Sequence, residues 1–165
     1  MAEFIGVPSG VGRRIVIVAS RFNEHIVQKL VDGALECCLK HGALLDDIDV
    51  LWVPGAWELP PALMKALQTD RYDCAIAVGA VVRGETPHFE FVAGEANRGL
   101  SLLQGEFGVP IGLGLLTTND MAQAEARAGG EHGNKGWDAA LAALEMSDLF
   151  GRLDQMSEGE DDGAR

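Results

Sequence analysis

Four short apolar runs, RRIVIVAS (13–20), 47–53, CAIAVGAVV (74–82) and IGLGLLT (111–117), recur along the chain with helix-period segments between them. That alternation limits the fold more than any other feature. A continuous β-branched run such as 13–20 reads as a buried strand. After it, Ile26, Val27, Leu30, Val31, Ala34, Leu35 and Cys38 form an i, i+3, i+4 stripe, with Asn23 placed to cap that helix and Gly42 to end it. Further helices are predicted near 58–69, 87–107, 119–128 and 136–150, with the Gly-rich link GGEHGNKG before the last. The order β-α-β-α-β-α-β-α-α calls for an α/β fold: a mostly parallel four-stranded sheet in a three-layer α/β/α sandwich. Right-handed crossovers make such a sheet doubly wound.

A chain of 165 residues is most simply one domain with a real core. Residues 1–12 are Gly/Pro-rich and read as an N-terminal arm, 13–152 as the α/β domain, and 153–165 as an acidic, disordered tail. The net charge of −12 argues against nucleic acid or an anionic membrane as a partner, since both need a cationic footprint. It also means that an anionic substrate needs local cations. Cys37, Cys38 and Cys74 show neither disulfide nor metal-ligand spacing, so they read as reduced, buried thiols, which suits the cytoplasm. No apolar stretch reaches the ~20 residues of a membrane span, and no basic-then-apolar leader is evident.

In open parallel sheets, ligands bind outside the carboxyl ends of the strands. Four segments fall there: 20–23 (SRFN), 54–58 (PGAWE), 83–88 (RGETPH) and 117–120 (TTND). Arg83, a flexible turn and His88 stand at a predicted helix start, where backbone N–H groups bind anions. His88 is either a solvated first-turn residue or a general acid/base, and its company favours chemistry. Glu58 serves either the helix dipole or a polyhydroxylated ligand. Phe22, between Arg21 and Asn23, reads as exposed and able to stack. Arg127 could be explained by its place at a helix end alone, whereas Lys135 lies in GNKG (133–136), which superficially resembles a phosphate loop without the Gly-Lys-Ser/Thr order. His25, His41 and His132 read as surface residues, and Trp137 as core. The chain has no Walker A order, no full G-x-G-x-x-G and no G-x-S-x-G, so nucleotide phosphate loops, nicotinamide cofactors and serine hydrolysis have no support.

The runs SRFNE, VPGAWELP, GAVVRGETPHF and LLTTND…QAEARAGGEHGNKGWDAALAALEM, in register from about 15 to 149, resemble the lumazine synthase family of riboflavin biosynthesis. The resemblance implies a flavodoxin-like fold and condensation of 5-amino-6-(D-ribitylamino)uracil with 3,4-dihydroxy-2-butanone 4-phosphate, with no metal and no organic cofactor. It further implies that Phe22 stacks on the pyrimidine, that Ala56, Trp57 and Glu58 hold the ribityl chain, and that Ala80, Val81 and Val82 meet the uracil edge. Glu85, Thr86 and Arg127 would bind the phosphate, His88 would carry protons, and Lys135 would add a cation. Leu113 stands where an aromatic residue is common, and Glu85 where a small one is usual. The family forms pentamers with shared sites, some of them sixty-subunit shells, so a homo-oligomer is expected, with Leu113, Arg127 and Lys135 completing a neighbour's site. The resemblance also admits riboflavin synthase as a partner. Two alternatives stay open: a flavin- or lumazine-binding relative without catalysis, and a shell-forming relative. A flavodoxin-like electron carrier would need a hydroxyl-rich loop after the first strand, which SRFNE does not supply.

Overall fold

The computed structural model describes the backbone of residues 1–161 and the side chains of residues 1–157. Four strands, β1 (Ile15–Ser20), β2 (Ile48–Val53), β3 (Cys74–Val82) and β4 (Ile111–Thr118), pair in parallel in the order β2-β1-β3-β4. The two central strands come from the most continuous apolar runs: every residue of β1 is buried, as are the first seven of β3. Strands covered on both faces need such runs. The edge strands β2 and β4 are only partly buried, and Leu113 and Thr117 of β4 are exposed.

Helices α1 (Glu24–Lys40), α4 (Met121–Arg127) and α5 (Lys135–Asp161) cover one face of the sheet; α2 (Leu59–Leu67) and α3 (His88–Phe107) cover the other. Each side chain of the Ile15, Ile17, Ile26, Leu30 and Ile76 kind, fully buried here, contributes about 1.5–3 kcal/mol. Two glycines set the approach of α5. A Cβ on Gly112 would lie 2.0 Å from the Ala139 carbonyl oxygen, and one on Gly136 would lie 1.9 Å from that of Leu30. Asn134 fastens the start of α5: its Oδ1 accepts from the Gly136 and Trp137 N–H groups at 2.8 and 3.2 Å, and its Nδ2 donates to the Lys29 carbonyl at 2.8 Å. Three-layer, doubly wound α/β architecture is what the alternation requires.

Local detail goes beyond or against the sequence reading in five places. Asn23 does not cap α1 with its side chain: its backbone is left-handed (φ 58°), and only its carbonyl accepts from the helix, from the Ile26 and Val27 N–H groups. The Gly-rich link is a small antiparallel hairpin, β5 (Ala128–Gly130) with β6 (Gly133–Asn134). Helix α5 runs to Asp161 rather than 150, since Arg152, Leu153, Gln155 and Met156 are good helix formers and no proline stops them. The segment 153–165 is thus helical as far as Asp161, and 162–165 lie outside the described residues. The arm lies on its own domain: the Val7 N–H donates to Asp148 Oδ2 at 2.9 Å, and the Gly10 N–H donates to the His41 carbonyl at 2.8 Å. Trp137 is only partly buried, edge-on to His41 and beneath Lys40.

Candidate functional site

The outgoing ends of β1, β2 and β3 are tied together by hydrogen bonds that continue past the strands. The Arg21 and Phe22 N–H groups donate to the carbonyls of Val53 and Pro54, at 2.8 and 3.1 Å. Asn23 Nδ2 donates to the Ala80 carbonyl at 2.9 Å. These bonds bring the Phe22 turn beside the 3₁₀ turn Ala56–Glu58 and the end of β3.

Between them lies a cleft of about 720 Å³, a volume in the range of small-molecule sites. Phe22, Ala56, Trp57 and Glu58 line it from the first two strand ends, and Ala80, Val81 and Val82 from the third. Thr86 and His88 close it from the turn before α3 and from the first residue of that helix. Nine residues singled out in the sequence therefore face one cleft. Phe22 and Trp57 are 70% and 57% exposed, so both rings are available to a ligand.

Four other singled-out residues are not there. Glu85 is exposed and does not line the cleft. Leu113, Arg127 and Lys135 line a separate cavity of about 280 Å³ on the face formed by β4, α4 and the start of α5, together with Thr117 and Gln123. Arg127 Nη1 donates to the Gln123 carbonyl at 3.1 Å, and Lys135 Nζ stands 2.7 Å from Asp138 Oδ2. Asp120 caps α4, accepting from the Gln123 N–H at 2.8 Å, while Gln123 Oε1 accepts from the Asn119 N–H.

Arg83 needs a correction. The sequence makes it a cation for the anion turn, but its guanidinium is taken up locally. It is hydrogen-bonded to Glu90, donates through Nε to Asn119 Oδ1 at 3.1 Å, and lies 4.5 Å over the Phe89 ring. The Arg83 bond holds the Glu90 carboxyl below the usual carboxylate range. Gly55 and Gly84, from the strand-end segments 54–58 and 83–88, also line the cleft, and three lining residues escaped the sequence reading: Phe89, Phe91 and Val92. Phe91 carried a signal, since it stands three residues after His88 and shares its helix face.

The thiols are shielded. Burial, with the Asp138 and Glu36 charges behind it, pushes Cys37 up to about 11, and burial raises Cys38 and Cys74 to about 12. They act as small hydrophobes, not nucleophiles. Among the described residues no helix is long and apolar enough to cross a membrane.

Aromatic rings, backbone polar groups, a carboxylate and an imidazole at the carboxyl ends of a doubly wound sheet define an α/β protein that takes a small ligand at its strand ends. Residues 12–151 match the family described as 6,7-dimethyl-8-ribityllumazine synthase. The chain is 60% identical over 163 residues to the 6,7-dimethyl-8-ribityllumazine synthase of Gemmatimonas aurantiaca, covering 99% of both chains. It is 46% identical over 142 residues to that of Chlorobaculum tepidum, covering 86% of this chain and 92% of the relative. With that of Aquifex aeolicus it shares 44% over 153 residues, 93% of this chain and 99% of the relative. The chain belongs to the 6,7-dimethyl-8-ribityllumazine synthase family, and is with it an enzyme of riboflavin biosynthesis.

Proposed function

We propose that the chain condenses 5-amino-6-(D-ribitylamino)uracil with 3,4-dihydroxy-2-butanone 4-phosphate to 6,7-dimethyl-8-ribityllumazine, releasing phosphate and water, in a site shared between copies of itself. The cleft takes the pyrimidine: Phe22 stacks on the ring, the strand end 80–82 meets the uracil edge through its backbone, and Glu58 accepts from the ribityl hydroxyls beside Ala56 and Trp57. Thr86 and the turn at Glu85, through its backbone, receive the butanone phosphate. His88 carries protons as the aryl amine condenses with the ketone to an imine with loss of one water, phosphate is eliminated, and the ring closes with loss of a second water.

The observation that carries the shared site is a mismatch of charge. Among the described residues no arginine or lysine lines the cleft, while Arg127 lines a different cavity of the same chain. A phosphate dianion is held by charge-assisted bonds, and Arg is the side chain best shaped for them. A second copy that brings its Leu113–Arg127–Lys135 face to the cleft supplies that charge, which supports a homo-oligomer, whether a pentamer or a sixty-subunit shell.

Both reactants are intrinsically reactive, so holding them together supplies several kcal/mol, on the order of the lower end of proximity effects. Proton shuttling adds about 10²–10⁴-fold. Purified protein given both substrates should develop the absorbance of the lumazine, with one phosphate released per product. Product-free incubation by a folded oligomer would leave the flavin- or lumazine-binding reading in its place.

A further inference from the structure

We propose that Asn23 is a positioning residue for the pyrimidine substrate, holding the Phe22 ring and the end of β3 in one fixed relation. The inference rests on the functional reading above for the identity of the ligand.

Asn23 is the residue through which the chain turns from β1 into α1, and it does so at φ 58°, ψ 42°. Among described non-glycine residues only Asp70 shares a positive φ. Asparagine tolerates this region better than most side chains, but the conformation still costs energy and persists only where neighbours enforce it. The usual return for asparagine at a helix start is a side-chain bond to the first-turn N–H groups. Asn23 forgoes it. Its side chain reaches across to the outgoing end of β3 instead, donating to the Ala80 carbonyl, 57 positions away in sequence.

That choice has a geometric consequence. Phe22 is held on one side by its own N–H on the Pro54 carbonyl, and on the other by the locked backbone of Asn23. The exposed ring thereby stands over the cleft without packing into the core. The same amide occupies one lone pair of the Ala80 oxygen, which fixes the plane of the peptide group that opens the 80–82 segment. Asn23 itself does not line the cleft. It acts through Phe22 and Ala80, not on the ligand.

The test separates backbone from side chain. Asn23→Gly keeps the left-handed turn, because glycine takes positive φ freely, and removes only the amide. Asn23→Asp keeps a side chain tolerant of the turn and points a carboxylate at a carbonyl oxygen. Circular dichroism and sedimentation establish that each variant is folded and assembled. Binding of 5-amino-6-(D-ribitylamino)uracil alone is then measured by calorimetry, and both KM values by steady-state kinetics. The expected result is pyrimidine binding weaker by about fivefold in Asn23→Gly, the equivalent of one hydrogen bond, and weaker still in Asn23→Asp. The butanone phosphate KM should stay within about twofold, since that site makes no use of the amide.

A purely structural amide would lower thermal stability and leave the pyrimidine Kd unchanged in Asn23→Gly; that result overturns the inference and leaves the proposed function intact. Wild-type protein that binds the pyrimidine but forms no lumazine removes the proposed activity, and the Asn23 comparison is still read from binding. Wild-type protein that does not bind the pyrimidine sinks both.

Discussion

The cleft under Phe22 is walled by rings and main chain, whereas the face around Arg127 is a shallow cavity of about 280 Å³ that carries two cations. Three strand ends converge on the first, because β1 is central and the turns after β1 and β2 are bonded to each other. The second sits on an edge strand, where Leu113 and Thr117 stay exposed. One half offers shape, stacking and an imidazole; the other offers charge. Lys135 already faces Asp138, so Arg127 is the cation with the most donors left for a ligand. On the proposed reading a phosphorylated ketone and an aromatic amine together need both halves, and a second copy would supply the one that the cleft lacks.

The sharpest way to break that picture is to disable each half in a different chain. His88→Ala should lower kcat by on the order of 10²-fold without abolishing turnover, because proximity survives. Arg127→Ala should raise the butanone phosphate KM by about 10–100-fold, the worth of a charge-assisted contact, with kcat less affected. Refolding the two variants as an equal mixture should then recover activity, on the order of a quarter of the wild-type rate, since a random ring pairs intact cleft with intact face at that frequency. If each chain holds a whole site, mixing restores nothing. A normal butanone phosphate KM in the Arg127 variant would remove the face from the site altogether.

The cleft half was legible in the sequence because its ingredients are local. Apolar runs fix where strands end, and Phe22, Trp57, Glu58 and His88 each stand within a few residues of such an end. Side-chain commitments were not legible. Arg83 looks like an anion ligand until Glu90, Asn119 and Phe89 are seen to occupy it, and two of those partners are seven and thirty-six positions away. Asn23 looks like a cap until the order of strands places Ala80 next to it. The separation of Arg127 from His88 depends on which strand lies at the edge, and periodicity carries no information about strand order.

Arg83 links the two regions, since its bonds join the first turn of α3 to the turn before α4, and its N–H donates to the Thr118 carbonyl at 2.8 Å. Arg83→Ala should loosen the His88 turn and lower kcat by about fivefold, with Arg83→Lys rescuing little because an ammonium lacks the guanidinium fork. The Glu90 partner adds a pH signature. Its carboxyl is held below the ordinary range, so the clamp is fully formed above the unfolded carboxylate pKa and is lost as pH falls through the folded value. The protection factors of the 83–90 amides, with exchange corrected for its intrinsic fall toward acid pH, should therefore drop at acid pH in the wild type and be low throughout in Arg83→Ala. Unchanged exchange would mean that the exposed pair holds nothing.

Leu113 gives the finest resolution of how the halves meet. It is 56% exposed on β4, a large apolar side chain mostly open to solvent in the single chain. If it closes over the pyrimidine held by Phe22 of another copy, Leu113→Phe adds an aromatic face on the opposite side of the ring. Such a pair is worth about 0.5–1.5 kcal/mol beyond burial, so riboflavin or the lumazine should bind about two- to tenfold more tightly, read from quenching of ligand fluorescence. Tighter binding alone does not prove the geometry, because added apolar area helps almost anywhere. The cycle with Phe22→Leu does. Two rings that sandwich one ligand are coupled through it, so the gain from Leu113→Phe should shrink when Phe22 is gone, whereas contributions from separate cavities add within about 0.5 kcal/mol.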